Sequence, residues 1–305
     1  MSELAPHILV IGGANRDITA RANQEMIPLA ESHIGQVSQT AGGVGRNIAE
    51  TLARLGQKVT LLSAFGDDEF AHQMMAHLTG LDIDIAPSIR ADGQDSDCYL
   101  TIHDKDGEQV TAINQMALSD KITPSVITDQ AEMIASADFV ICDCNLSEAS
   151  LSEIANIKRK GQLVLDGVSS AKIGRALDIL SEVDILKCSR AEALSLVGGD
   201  DSTPDKAVVD MMADTGAAHI LLSQGASGFC IYRDDEVHQF EAIQTAPETI
   251  SGAGDCLLAG YIYGLATGRS VKEAGMIARQ CAYLSCQSVS AVSDHISLET
   301  IKNEI

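Results

Sequence analysis

The chain reads as an α/β protein: a mostly parallel central sheet flanked by helices, with a small β lid. Three observations predict this. Short apolar runs alternate with longer amphipathic segments, the pattern of βαβ units. Two separated stretches break that alternation in favour of strands. Finally, 305 residues with 45% hydrophobic content suffice for a large α/β domain with an appendage.

Strands are expected at 8–12, 58–63, 139–142, 162–165, 184–187, 219–223 and 229–232, with helices between them. Ile48, Leu52 and Leu55 recur at helical spacing and Gly56 ends the run, so 47–55 reads as a helix with a glycine stop. Ser150-Leu-Ser-Glu153 has the form of a capping box, and Thr203-Pro204 marks another helix start. The stretch 98–113 looks like two strands joined at Asp106-Gly107, a hairpin rather than a crossover; 18–40 also lacks helical periodicity. A lid built from about 18–40 and 96–116 follows, placed near the strand ends where it would exclude water from a bound substrate. No internal repeat or low-complexity linker divides 1–305, so one domain is expected.

Composition narrows the function classes. The formal charge is −22, from 43 acidic and 21 basic residues. Such a field repels polyanions and argues against nucleic acid and anionic membrane surfaces as partners. It still admits a nucleotide, which a glycine-rich pocket and a magnesium ion can hold locally. Tryptophan is absent and aromatics make up 3%, against stacking platforms for single strands. No apolar run is long enough to span a bilayer, and the first residues lack the basic start and apolar stretch of a secretory signal, so a cytoplasmic protein is expected. The eight cysteines include no Cys-x-x-Cys and read as reduced core residues.

Ser251-Gly-Ala-Gly-Asp255 leads directly into a helix-like run at 256–265. Glycines at 252 and 254 let backbone N–H groups approach a ligand, and a helix starting there adds the positive end of its dipole, which suits a phosphoryl group. Asp255 would repel phosphate; at the mouth of such a site it suits taking a proton from a hydroxyl that attacks phosphorus. The same residues are also what an ordinary glycine-rich loop-to-helix junction presents, with Asp255 as a favourable first-turn charge. A second cluster, Ala41-Gly-Gly-Val-Gly-Arg-Asn47, precedes the first clear amphipathic helix. A dinucleotide fingerprint would need Gly-x-Gly-x-x-Gly straight after the first strand, but that turn reads Gly12-Gly-Ala-Asn-Arg-Asp17. Asn15 and Asp17 instead stand where open α/β sheets bind ligands and can grip vicinal hydroxyls; alone, Asp17 would read as a turn residue.

In order and separation, Gly42-Gly43-Val44-Gly45-Arg46-Asn47 and Gly252-Ala253-Gly254-Asp255 resemble the two signatures of the ribokinase-like (PfkB) sugar kinases. Length, strand–helix alternation and the split lid agree, so the resemblance covers nearly the whole chain. Within the family the similarity is to the pseudouridine kinases, carried further by Gly13-Ala14-Asn15-x-Asp17-Ile18, Ala112-Ile113-Asn114-x-Met116, Asp143-Cys144-Asn145-x-Ser147-Glu148 and Asp166-x-Val168-Ser169. The resemblance implies ATP-dependent, magnesium-assisted phosphorylation of the 5′-hydroxyl of pseudouridine, in nucleoside catabolism. Ribokinase or another nucleoside or sugar kinase is the alternative within the family. A non-catalytic sugar- or nucleotide-binding regulator is the alternative of another class.

By resemblance, Asp255 is the base, and the N–H groups of Gly252, Ala253 and Gly254 form the anion hole. Asn15, Asp17, Gly43 and Asn47 correspond to the ribose-binding set. Asn114, in the lid, either contacts the base and its sugar or simply ends a strand. Ser223, Gly225 and Gly228 resemble the nucleotide-side loop, in a segment that also suits a hairpin turn. Glu192 matches the glutamate that acts on magnesium through water, with Ser189 standing on the nucleotide side where the family has asparagine. Ser189-Arg-Ala-Glu192 is equally a capping box. Thr249-Ile250 replaces the usual Asp-Thr pair, whose aspartate helps hold a monovalent cation, and this leaves potassium open. Lys172 either approaches phosphate or substrate or is a solvated lysine after a strand. The family also implies a homodimer paired through the lid.

Overall fold

The structure, a computed structural model, describes residues 6–24, 32–217 and 219–302. Residues 25–31 of the expected lid, together with 1–5, 218 and 303–305, lie outside the described residues. The chain opens with β1 (His7–Ile11), then β2 (Asn15–Ala22) and β3 (Gly35–Gly42), β4 (Lys58–Leu62), and the short β5 (Ala64–Phe65) and β6 (Ile89–Arg90). Next come β7 (Cys98–His103), β8 (Gln109–Gln115), β9 (Phe139–Asp143), β10 (Gln162–Asp166) and β11 (Ile185–Ser189). The last strands are β12 (His219–Ser223), β13 (Phe229–Arg233) and β14 (Glu236–Phe240). Eight of them form one sheet in the order β14-β13-β12-β11-β10-β9-β1-β4, parallel from β12 to β4 and antiparallel at the β13–β14 edge.

Successive strand residues alternate between two cores. Ile8, Val10, Ile141, Val164, Ile185 and Leu221 pack with the helices Val44–Arg54, Ala253–Ala266 and Val271–Cys286. Leu9, Ile11, Cys142, Leu165, Leu186 and Leu222 pack against the other face with Ile127, Leu151, Ile154 and Val208. Burial on both faces explains why these strands read as unbroken apolar runs. The cysteines are free, and six of the eight are buried.

The lid is a second sheet, ordered β3-β2-β7-β8. Its β2 and β7 run parallel, and β7 and β8 form the expected hairpin across Asp106-Gly107. Among the described residues no helix is long and apolar enough to cross a membrane.

Among the differences from the sequence reading, two helix starts and one added strand have a plain physical cause. The first helix begins at Val44 rather than 47, because Gly43, at φ +98°, turns the chain into it. The helix expected to start at Ser150 starts at Glu148: the Ser147 hydroxyl takes the Ser150 N–H at 3.2 Å, while the Ser150 hydroxyl donates to Ile122 O at 2.6 Å. Strand β14 was not expected. It closes on β13 through Asp234 and Asp235, both at positive φ (53° and 62°), a two-residue hairpin turn that Asp-Asp signals only weakly beside Asn-Gly.

Candidate active site

At the C-terminal edge of the sheet, neighbouring strands end in charge. Register sets Asp143 beside Asp166 and Asp166 beside Lys187, one residue from each of β9, β10 and β11. Lys187 Nζ lies 2.9 Å from Asp166 Oδ2, and both are buried. Burial opposes the lysine's charge, but Asp166, Asp255 and Glu192 outweigh it and keep it a cation. A Cβ on Gly254 would stand 2.8 Å from this ammonium, so the cation lies directly against the 252–255 loop.

Gly252 caps the helix Ala253–Ala266 at φ +79°, where a Cβ would fall 2.3 Å from Ala291 O; only glycine fits. Ala253 N–H makes one long bond, 3.4 Å, to Ile250 O. Asp255 is buried in the first helical turn, and its Oδ2 accepts from Asn47 Nδ2 at 2.7 Å. Burial, then the Asp166 charge, push its carboxyl up to about 7, against the pull of Lys187 and the Asn47 bond. Asn47 is itself fixed: Arg46 donates to its Oδ1, which turns the amide nitrogen toward Asp255. Arg46 is held in turn by Ala41 O and by Glu50.

Asn15 Nδ2 donates to Asp17 Oδ1 at 2.5 Å, and burial raises the Asp17 carboxyl. A single oxygen, Asp143 Oδ2, accepts the N–H of Gly13 at 2.9 Å and of Gly45 at 3.1 Å, tying the two glycine turns together. Burial raises Asp143 to about 6 in spite of these donors.

Asn15, Asp17, Gly43, Asn47, Asn114, Gly252 and Asp255 all line one cleft of about 380 Å³ between the sheet edge and the lid. Ala253 and Gly254 are not among its lining residues; they begin the helix between Gly252 and Asp255. The nucleotide-side candidates do not line this cleft. Ser189 and Ser223 pair in register at the ends of β11 and β12, and Gly225 begins the short turn into β13. At Gly228 a Cβ would meet Phe240 O at 2.0 Å, so this glycine is required by the hairpin itself. A separate concavity of about 420 Å³, lined by Arg159, Glu182 and Asp184, opens where β10 and β11 begin, away from these groups.

Ser189 and Glu192 form both halves of the capping box, with Glu192 Oε2 accepting the Ser189 N–H at 2.9 Å. A magnesium ion near Glu192 would meet its other carboxylate oxygen, Oε1, directly or through a water. No cluster of metal-ligating side chains occurs among the described residues. Thr249 offers no carboxylate for a monovalent cation, and its hydroxyl takes the Ser251 N–H at 3.1 Å. Sequence reasoning missed Asp166 and Lys187 as site charges. Their signal was a charged residue at or near the end of an apolar strand, Leu165-Asp166 and Leu186-Lys187-Cys188.

A glycine loop over a buried cation, a buried carboxylate beside it and a polar cleft beneath a lid suit an α/β small-molecule kinase. The chain belongs to the pfkB family of carbohydrate kinases, whose model matches residues 5–297. It is 31% identical over 291 residues to the pseudouridine kinase of Escherichia coli K12, covering 92% of this chain and 91% of that protein. An uncharacterized sugar kinase of the same organism is 30% identical over 304 residues, with 96% and 82% covered. In fold the chain matches the Arabidopsis thaliana ribokinase solved with ribose and ATP, at a TM-score of 0.85, 20% identity and 98% coverage of both chains.

Proposed function

We propose that this kinase transfers the γ-phosphoryl of ATP to the 5′-hydroxyl of a ribose-bearing nucleoside, with pseudouridine as the acceptor. The observation that carries the reading is Asp255: buried, raised toward neutrality, at the mouth of the 252–254 loop, and sharing one cleft with Asn15, Asp17 and Asn47. Similarity to a pseudouridine kinase and the agreeing segments at 112–116, 143–148 and 166–169 support the acceptor.

In this reading Asn15, Asp17, Gly43 and Asn47 hold the ribose hydroxyls, and the lid, through Asn114, covers the substrate. Asp255 accepts the 5′-hydroxyl proton as that oxygen bonds to phosphorus and the bond to the ADP oxygen breaks. Loop N–H groups, backed by Lys187, meet the charge on the moving phosphoryl. Ser189, Ser223, Gly225 and Gly228 flank the ATP side. Glu192 would hold magnesium through a water, and the ion would supply positive charge against the phosphates. Ile34, Val37, Val110 and Ile113, exposed on or beside β3 and β8, support a homodimer paired through the lid.

ADP release with pseudouridine, uridine, adenosine and ribose tests the proposal. Pseudouridine should give the highest kcat/KM, and Asp255→Asn should lose roughly 10²–10⁴-fold in kcat. A folded Asp255→Asn protein with near-normal turnover would refute the base, and equal or better turnover of ribose would refute the acceptor.

A further inference from the structure

Among the described residues lining the cleft Lys172 is the only cation, in company with Asp17, Asp97 and Asp255. Its Nζ donates to the neutral amide oxygen of Asn145 at 2.6 Å, although Asp143, Asp97 and Asp120 all act on it from nearby. The loop that brings it there is strained. Val168 carries φ +65°, a region foreign to β-branched residues, and the Ser169 N–H donates across it to Gly167 O at 2.7 Å, closing a γ-turn of the rare positive-φ kind. Asp166 Oδ1 holds the Val168 N–H at 2.8 Å, and Ser169 O accepts from both Lys172 and Ile173 N–H. Strain of this sort persists only where surrounding structure enforces it, and it lies in the cleft wall.

The pair has a defined polarity. Asn145 Oδ1 already accepts from Lys172 and the Asn145 amide also donates to Asp143, so what the pair chiefly offers a ligand is N–H: the remaining ammonium hydrogens and the second Asn145 Nδ2 hydrogen. A Cβ on Gly13 would stand 3.1 Å from that Nδ2, so the glycine leaves the amide its room. The pair lines the same cleft as Asp255, Asn15 and Asp17. A nucleoside seated with its 5′-hydroxyl at Asp255 would have its ring substituent elsewhere in that cleft, where Lys172 and Asn145 belong to the lining.

We propose that Lys172 and Asn145 form a donor-rich subsite for the ring carbonyl oxygens of a pyrimidine-dione base, selecting nucleosides that carry one over free ribose and over bases presenting an amine there. This rests on the nucleoside-kinase reading above. The test compares kcat/KM for pseudouridine, uridine, cytidine and ribose in the wild type, Lys172→Met and Lys172→Arg, with thermal unfolding to verify folding. Lys172→Met should lose about 10- to 100-fold on pseudouridine, carried by KM, with ribose unchanged, so that the preference collapses. Lys172→Arg, which keeps the donors, should retain the preference. Equal losses on ribose and pseudouridine, or a preference left intact by Lys172→Met, overturn the subsite while leaving the kinase reading standing. A wild type that prefers ribose overturns both.

Discussion

Replacing Asn47 by alanine should move the acid limb of kcat/KM to higher pH. Asn47 Nδ2 donates to Asp255 Oδ2 at 2.7 Å in a buried setting, and the bond favours the charged carboxylate. Hydrogen bonds to charged groups contribute about 1.5–3 kcal/mol, and one pKa unit corresponds to about 1.4 kcal/mol, so the loss raises the Asp255 carboxyl by roughly one to two units. The base works only when deprotonated, so activity of the unmodified chain should rise as pH passes through about 7. In Asn47→Ala the same rise should begin roughly one to two pH units later. Initial rates of ADP release at low pseudouridine across pH 5–10 report the limb directly, because kcat/KM follows the free enzyme. Asn15→Ala is the control: Asn15 bonds Asp17, so its loss should weaken acceptor binding without moving the limb. An unmoved limb in Asn47→Ala, or an equal displacement in Asn15→Ala, would refute the claim that Asn47 tunes the base.

Gly252→Ala puts a Cβ 2.3 Å from Ala291 O at a φ of +79°, so the anion loop must shift; kcat should fall about 10²–10³-fold with a smaller change in KM, and near-normal kcat would sink the anion-hole role. Lys187→Met strands Asp166 in the interior and should cost about 3–5 kcal/mol of stability by urea unfolding, whereas a loss under about 1 kcal/mol would mean that water reaches the site. Glu50 is held down to about 2: burial pushes it up, but His77, Arg46 and Arg54 outweigh burial. Its contribution, roughly 3 kcal/mol, is therefore complete above its ordinary 4.5 and lost as pH falls toward about 2. Glu50→Gln should accordingly be less stable than the parent near pH 6, with the gap closing toward pH 2–3; a gap that does not change with pH would contradict this.

Local chemistry made the two glycine loops and the parallel sheet legible in the sequence. Gly252 and Gly43 carry their positive φ within a few residues of the groups they serve, and the double-faced burial of β1 and β9 to β12 shows in each strand alone. The site's electrostatics is not local. Asp143, Asp166 and Lys187 acquire meaning only through the parallel register that sets them side by side, and Asn47 meets Asp255 across 208 positions of chain. Val168 gives no sign in sequence of its positive φ, since a β-branched residue is the last expected there. Its turn is imposed by Asp166 on the one side and the Ser169 carbonyl network on the other.

A row of carboxylates at adjacent strand ends repels itself, and both Asp143 and Asp255 are raised in consequence of burial beside like charge. Lys187 relieves the row at one point, next to Asp166 and beneath Gly254. The same cation therefore limits how far Asp255 is raised and faces the 252–254 loop, which the proposed reaction uses for the phosphoryl charge. Neutralising Lys187 should disturb both together, raising the acid limb as Asn47→Ala does while also lowering kcat on its plateau. A Lys187→Met protein in which only one of these two changes appears would show that the cation serves the base or the anion loop, but not both.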